Sequence, residues 1–160
     1  MERISIDDVD PEPYDDELHS DRRDLGDALG AAHVAVVRYA LGPGERLSGA
    51  VHAHADQEEL FVVLEGTATF ETGDGEITVD EDEAIRFAPG EFQSGWNDAN
   101  GRLVVLALGA PRGSDDVRVT RIPVLDDRTV ACPECDHDHM RIADGSGLVC
   151  PDCGATTTVE

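Results

Sequence analysis

His52 and His54 stand two residues apart, and Glu59 follows in the same stretch, HAHADQEELFVVLEG, which runs from 52 to 66. Residues i and i+2 of a strand point to one face of a sheet, so the two imidazoles are expected side by side. Residues 55–58 are polar and turn-like, residues 60–64 are β-formers, and Gly66 closes the run. Two neutral imidazoles and a carboxylate on adjoining strands can occupy three positions around one divalent metal ion. A second group lies near the C-terminus, where Cys132-Pro-Glu-Cys135 and Cys150-Pro-Asp-Cys153 are separated by 14 residues. Four thiolates in two such turns suit tetrahedral Zn²⁺. The spacer has room for a hairpin, with strands at 139–143 and 148–149 and a turn at 144–147. Disulfides, which a reducing cytosol opposes, and a redox Cys-x-x-Cys are the alternatives. His137 and His139 lie close by and are surplus to a complete four-cysteine site.

The elements that must position these residues read as short strands with turns between them. Strands are expected at 32–41, from about 49 through His52, and at 59–65, 67–71, 76–79, 84–87, 93–97 and 103–108. Gly42-Pro43-Gly44, Thr72-Gly73-Asp74-Gly75 and Pro89-Gly90 supply turn signals. No convincing helix is visible, and strands this short and regularly spaced predict an all-β barrel or sandwich. Residues 1–30 are rich in aspartate and predict an extended or partly disordered acidic arm, with Ile4, Ile6, Tyr14 and Leu18 able to lie against the barrel. Residues 113–128 predict a linker or an edge strand at 117–125, since Pro123 confines a strand to the sheet edge.

The stretch from 44 to 97 resembles the cupin superfamily, whose fold is a double-stranded β-helix or jelly-roll barrel. His52-x-His54, four residues, Glu59, six residues and Gly66 match the tail of that family's first motif. Pro89-Gly90, two residues, Gln93 and then Asn97 match the second, with Gln93 where the family usually has histidine. The resemblance covers roughly residues 31–112. It implies a barrel metal site at His52, His54 and Glu59, with Gln93 as the weakest ligand or as a group that orients water or a substrate oxygen. The bland alternative is a metal-free barrel in which the two histidines hydrogen-bond in a polar pocket. The segment 129–160 resembles a zinc ribbon; it is too small for a core of its own, so metal would supply its folding energy. Phe61 and Val63 share the parity of Glu59 and should make the pocket apolar, and Trp96 is placed at its mouth or in a core or dimer contact. Arg38, Arg46 and Arg86 are read as surface ion pairs, with an anionic substrate as the alternative.

The composition sets the surroundings. The chain has 160 residues, 35 acidic and 12 basic, for a net charge of −23, and every basic residue is arginine. Such self-repulsion strains a compact fold in dilute salt and is screened at ~1 M salt, where the Debye length is ~3 Å. The expectation is a protein of an extreme halophile. No apolar run approaches the ~18 residues of a membrane span, and no secretion signal opens the chain, so the expected location is the cytoplasm.

Two functions follow. One is a metal-binding cupin that takes a small molecule in its barrel, with a structural zinc ribbon for interaction. The other is a mononuclear Fe-type dioxygenase acting on a small enediol or phenol. The barrel ion is left open among Fe²⁺, Mn²⁺, Ni²⁺ and Zn²⁺. The family includes sugar-phosphate isomerases, but the absence of lysine and of a phosphate cluster weighs against them. The net charge likewise weighs against nucleic acid. A homodimer through the two-sided apolar run at 60–64, and a protein partner at the ribbon, are the expected contacts.

Overall fold

The most apolar segment, LVVLALGA, forms β9 (Leu103–Ala110) at the centre of a five-stranded antiparallel sheet. It lies between β2 (Ala35–Leu41) and β4 (Glu58–Glu65), with β1 (Asp21–Asp24) and β7 (Ala84–Phe87) at the edges. The second sheet runs β6-β5-β8-β3-β10-β12-β13-β14. Its barrel strands are β3 (Val51–His54), β5 (Thr67–Thr72), β6 (Gly75–Asp80) and β8 (Gln93–Trp96). Its remaining strands are β10 (Val117–Ile122), β11 (Arg128–Thr129), β12 (Met140–Ile142), β13 (Gly147–Val149) and β14 (Thr156–Thr158). This computed structural model describes residues 1–144 and 147–159, so the tip of the expected turn at 144–147 lies outside the described residues.

The two barrel sheets enclose one core. On β4, Phe61 and Val63 point inward and are buried, whereas Leu64 is exposed, the alternation a half-buried strand requires. Phe61, Phe70 and Phe87 meet with ring centroids 5.1 to 6.0 Å apart. Phe70 is wholly buried, so removing its ring costs about 3–5 kcal/mol. Gly66, which ends β4, has φ +83°, and a Cβ there would stand 2.4 Å from the Arg102 carbonyl oxygen. Only glycine fits that corner.

Two expectations are corrected. The arm at 1–30, expected to be extended or partly disordered, holds regular structure: β1 pairs antiparallel with β2 and a short helix, α1 (Leu25–Ala28), follows. Asp24 caps α1 by accepting from the Asp27 N–H at 2.8 Å. Leu18, His19 and Leu25 of this segment are buried. Nor is residue span 117–125 an edge strand. β10 ends at Ile122, before Pro123, and pairs with β3 on one side and β12 on the other. The proline therefore falls outside the ladder, and the C-terminal strands supply the partner that makes β10 internal.

Candidate metal centre

The centre is assembled from both sheets. β3 carries His52 and His54 with matching parity, and β4 of the other sheet opens with Glu59 one residue inside its start. The connecting turn is tied down. Asp56 accepts from Ser114 Oγ at 2.5 Å and from the Asp115 N–H at 2.7 Å, which holds its carboxyl below the usual carboxylate range. Buried Gln57 donates to the Pro111 carbonyl at 2.7 Å.

Within this frame one donor atom each from His52, His54 and Glu59 lies within 4.8 Å of the others. His54 Nε2 is 3.4 Å from Glu59 Oε1. His52 Nδ1 donates to the Ala50 carbonyl at 3.1 Å, which leaves its Nε2 lone pair free, the outer contact expected of a ligating histidine. His54 Nδ1 is buried without a hydrogen-bond partner. Burial lowers the His54 pKa, against the pull of Glu59, so this imidazole stays neutral as ligation requires. Two neutral imidazoles and one carboxylate fit a divalent transition ion with open positions.

Gln93, expected as the weakest ligand or as an orienting group, lies beside the centre. It is buried opposite His52 on β8, and its Nε2 donates to Glu59 Oε2 at 3.1 Å, so it orients the carboxylate. Phe61 lines the cavity at the centre, which measures about 200 Å³, while Val63 lies deeper in the core. Trp96 is not at this cavity; its ring lies under the Arg46 guanidinium at 4.9 Å. Arg38 and Arg86 form ion pairs with Asp21 (3.6 Å) and Glu58 (2.7 Å), as read from the sequence. Arg46 instead donates to Ser94 Oγ at 3.1 Å and to the Ser48 carbonyl at 3.2 Å. Asn97 is structural: its Nδ2 donates to the carbonyls of Leu41 (3.0 Å) and Gly101 (2.8 Å), fixing the turn into β9.

Residues 37–109 match the family model described as Cupin domain. The barrel has the cupin fold. A solved sugar phosphate isomerase from a cupin superfamily of Silicibacter pomeroyi is 18% identical, with a TM-score of 0.65 over 98% of this chain and 92% of that one. A Klebsiella pneumoniae protein with a double-stranded β-helix domain is 18% identical, TM-score 0.58, covering 73% and 89%. A Thermotoga maritima structure described as a predicted oxalate decarboxylase is 19% identical, TM-score 0.59, covering 69% and 99%. No curated protein matches.

The barrel cavity shares Tyr14, Ser48, His52 and His54 with a wider groove of about 570 Å³. Tyr14 and Leu18 of the N-terminal arm, Val117 and Val119 of β10, and Ile142 of β12 form the groove walls. Tyr14 is held there by donating to the Leu47 carbonyl at 2.7 Å. Tyr14 was expected to be able to lie against the barrel, whereas Tyr39, which lines the cavity, was not singled out because its place there rests on contacts far apart in the chain.

His19 anchors the arm behind this wall. Its ring is fully buried between Tyr14 and Tyr39, with Nδ1 2.9 Å from the Arg46 carbonyl. Burial lowers its pKa despite that carbonyl. The unfolded chain, with histidine near ~6.5, therefore binds the proton more readily, and stability falls as pH drops below that value. His19→Gln should show a smaller fall in melting temperature between pH 7.5 and 5.5 than wild type. An identical fall would remove His19 from the account.

The four cysteines converge as their spacing predicts. All are free thiols, with Cys132–Cys153 and Cys135–Cys150 sulfurs 3.5 and 3.7 Å apart. Sulfurs at ~2.3 Å around one tetrahedral Zn²⁺ stand about 3.8 Å apart, so the cluster has the right size. The Glu134 and Cys153 N–H groups donate to Cys132 and Cys150 at 3.4 and 3.5 Å. The Cys153 N–H is the main cause that brings the Cys150 thiol down to about 6. At Cys135 the His137 N–H pulls downward, but neighbouring thiols, Cys132 foremost, and desolvation outweigh it and push the group up to about 12. This segment packs on its own barrel through β12 and a small core of Val119, Val130, Met140 and Leu148.

Proposed function

We propose that this chain is a metal-dependent cupin-domain protein that binds a small, neutral, largely apolar molecule beside His52, His54 and Glu59. The observation that carries the reading is a three-donor centre opening into an apolar groove with an acidic rim. Asp15 and Glu17 are its charged wall residues apart from the histidines, and among the described residues neither the groove nor the cavity is lined by arginine. A phosphate or dicarboxylate would meet repulsion there. A divalent ion such as Fe²⁺, Mn²⁺, Ni²⁺ or Zn²⁺ would act as a Lewis acid toward a ligand oxygen. Gln93 keeps Glu59 aimed at the centre, and Tyr14, Leu18 and Ile142 offer a ligand apolar walls. The open side of the donor set also supports a second reading, a mononuclear Fe-type dioxygenase acting on a small phenol or enediol.

The test is calorimetry on metal-loaded protein with neutral phenols, sugar phosphates and oxalate, followed by oxygen uptake with any binder. Binding of neutral phenols alone supports the proposal, and oxygen uptake selects the enzyme. Tight binding of the anions and none of the phenols would contradict it.

We assign the four cysteines to structural zinc and the chain to a reducing, salt-rich cytoplasm. No helix among the described residues is long and apolar enough to cross a membrane. With a net charge of −23, melting temperature should rise steadily from about 0.1 to about 3 M KCl as repulsion is screened. A flat profile would sink the halophile assignment. The reading includes a homodimer through the run at 60–64, where Leu64 is exposed, and light scattering in high salt would detect it. A protein partner at the ribbon remains part of the proposal, with nucleic acid disfavoured by charge.

A further inference from the structure

We propose that His137 and His139 form a third metal site, for a borderline divalent ion such as Ni²⁺, Cu²⁺ or Zn²⁺. The donor atoms of His137, Asp138 and His139 form a group apart from the four sulfurs and from His52, His54 and Glu59. His137 Nε2 and His139 Nε2 are 3.1 Å apart. Two nitrogens at ~2.0–2.1 Å from one ion, at tetrahedral to octahedral angles, are separated by about 2.9–3.4 Å. The pair therefore already has the spacing of a chelate.

The surroundings hold that spacing. Asp138 Oδ1 accepts from His139 Nδ1 at 2.9 Å, which leaves the lone pair on His139 Nε2. This is the carboxylate–histidine contact that orients metal ligands. The Phe92 ring packs on His139 with centroids 5.3 Å apart, and the His139 side chain is only 15% exposed. The backbone is pinned from both sides: the Cys132 N–H donates to the His137 carbonyl at 2.9 Å, and Thr120 Oγ1 donates to the Asp138 carbonyl at 3.1 Å. Little ordering is left for the ion to impose.

Without an ion, His137 Nε2–H donates to His139 Nε2. For both Nε2 lone pairs to face the ion, His137 carries its proton on Nδ1 instead. Two protein ligands leave the other positions to water, so this site is weaker than the closed thiolate site. Imidazole ligation favours Ni²⁺, Cu²⁺ and Zn²⁺ over Mn²⁺.

The test is Ni²⁺ titration of the full-length, zinc-loaded His52→Ala/His54→Ala variant, followed by calorimetry and elemental analysis. That protein should bind one Ni²⁺ per chain and keep its zinc. Adding His137→Gln or His139→Gln should weaken Ni²⁺ at least tenfold at unchanged zinc content. No Ni²⁺ bound to the first variant, or equal affinity after either glutamine substitution, would overturn the site.

Discussion

Cys150→Ser should cost the protein more than its C-terminal segment: it should release the zinc, unfold β12 to β14, and weaken metal binding in the barrel. The first two effects follow from size. Apparent zinc binding in small four-ligand modules is worth about 10–16 kcal/mol, and this segment has too little core to fold without it. Its buried residues, among them Met140 and Leu148, would be exposed. The third effect follows from β10. On one side it pairs Val119 with Met140 and Arg118 with Arg141; on the other it sets Val119 against His52 and Val117 against His54. Losing β12 turns β10 into an edge strand and loosens the backing of both histidines. A loss of about 10–100-fold in barrel metal affinity is expected, the range seen when outer support of a metal site is removed. Titration of the variant with Mn²⁺ would measure it. Unchanged affinity with the zinc gone would mean that the two sites are independent.

Glu59→Gln should abolish barrel metal binding while leaving the fold intact. The carboxylate is the centre's only anionic donor, one oxygen facing His54 Nε2 and the other accepting from Gln93. An amide of the same shape removes the charge, and its NH₂ would oppose either the ion or the Gln93 N–H. A fall in affinity beyond ~100-fold is expected, larger than an outer-contact loss. Glu59 is only half-buried, so the metal-free variant should melt close to metal-free wild type. A variant that binds metal as wild type does would remove Glu59 from the ligand set.

The barrel triad and the four-cysteine cluster were legible because their donors are local in sequence: parity aligns His52 with His54, and each Cys-x-x-Cys is one turn. The barrel strands were legible for the same reason, and each falls within a few residues of its expected place. What was not legible depends on pairing across the chain. Asp21–Asp24 carries no apolar pattern, yet it becomes β1 because β2 offers an open edge. Pro123 rightly ends a strand, but only β12 decides that the strand before it is internal. Gln93 occupies the expected position, but its turn toward Glu59 required the register between β3 and β8. Tyr14 and Ile142 reach the groove from opposite ends of the chain, so no window of sequence joins them.

Metal content by mass spectrometry, in high salt, on wild type and on His52→Ala/His54→Ala tests the central claim most directly. The account predicts the four-cysteine zinc plus a barrel ion in wild type, with the barrel ion lost in the variant. One zinc in both proteins, and no second ion in either, would contradict the metal centre and leave the barrel a metal-free pocket.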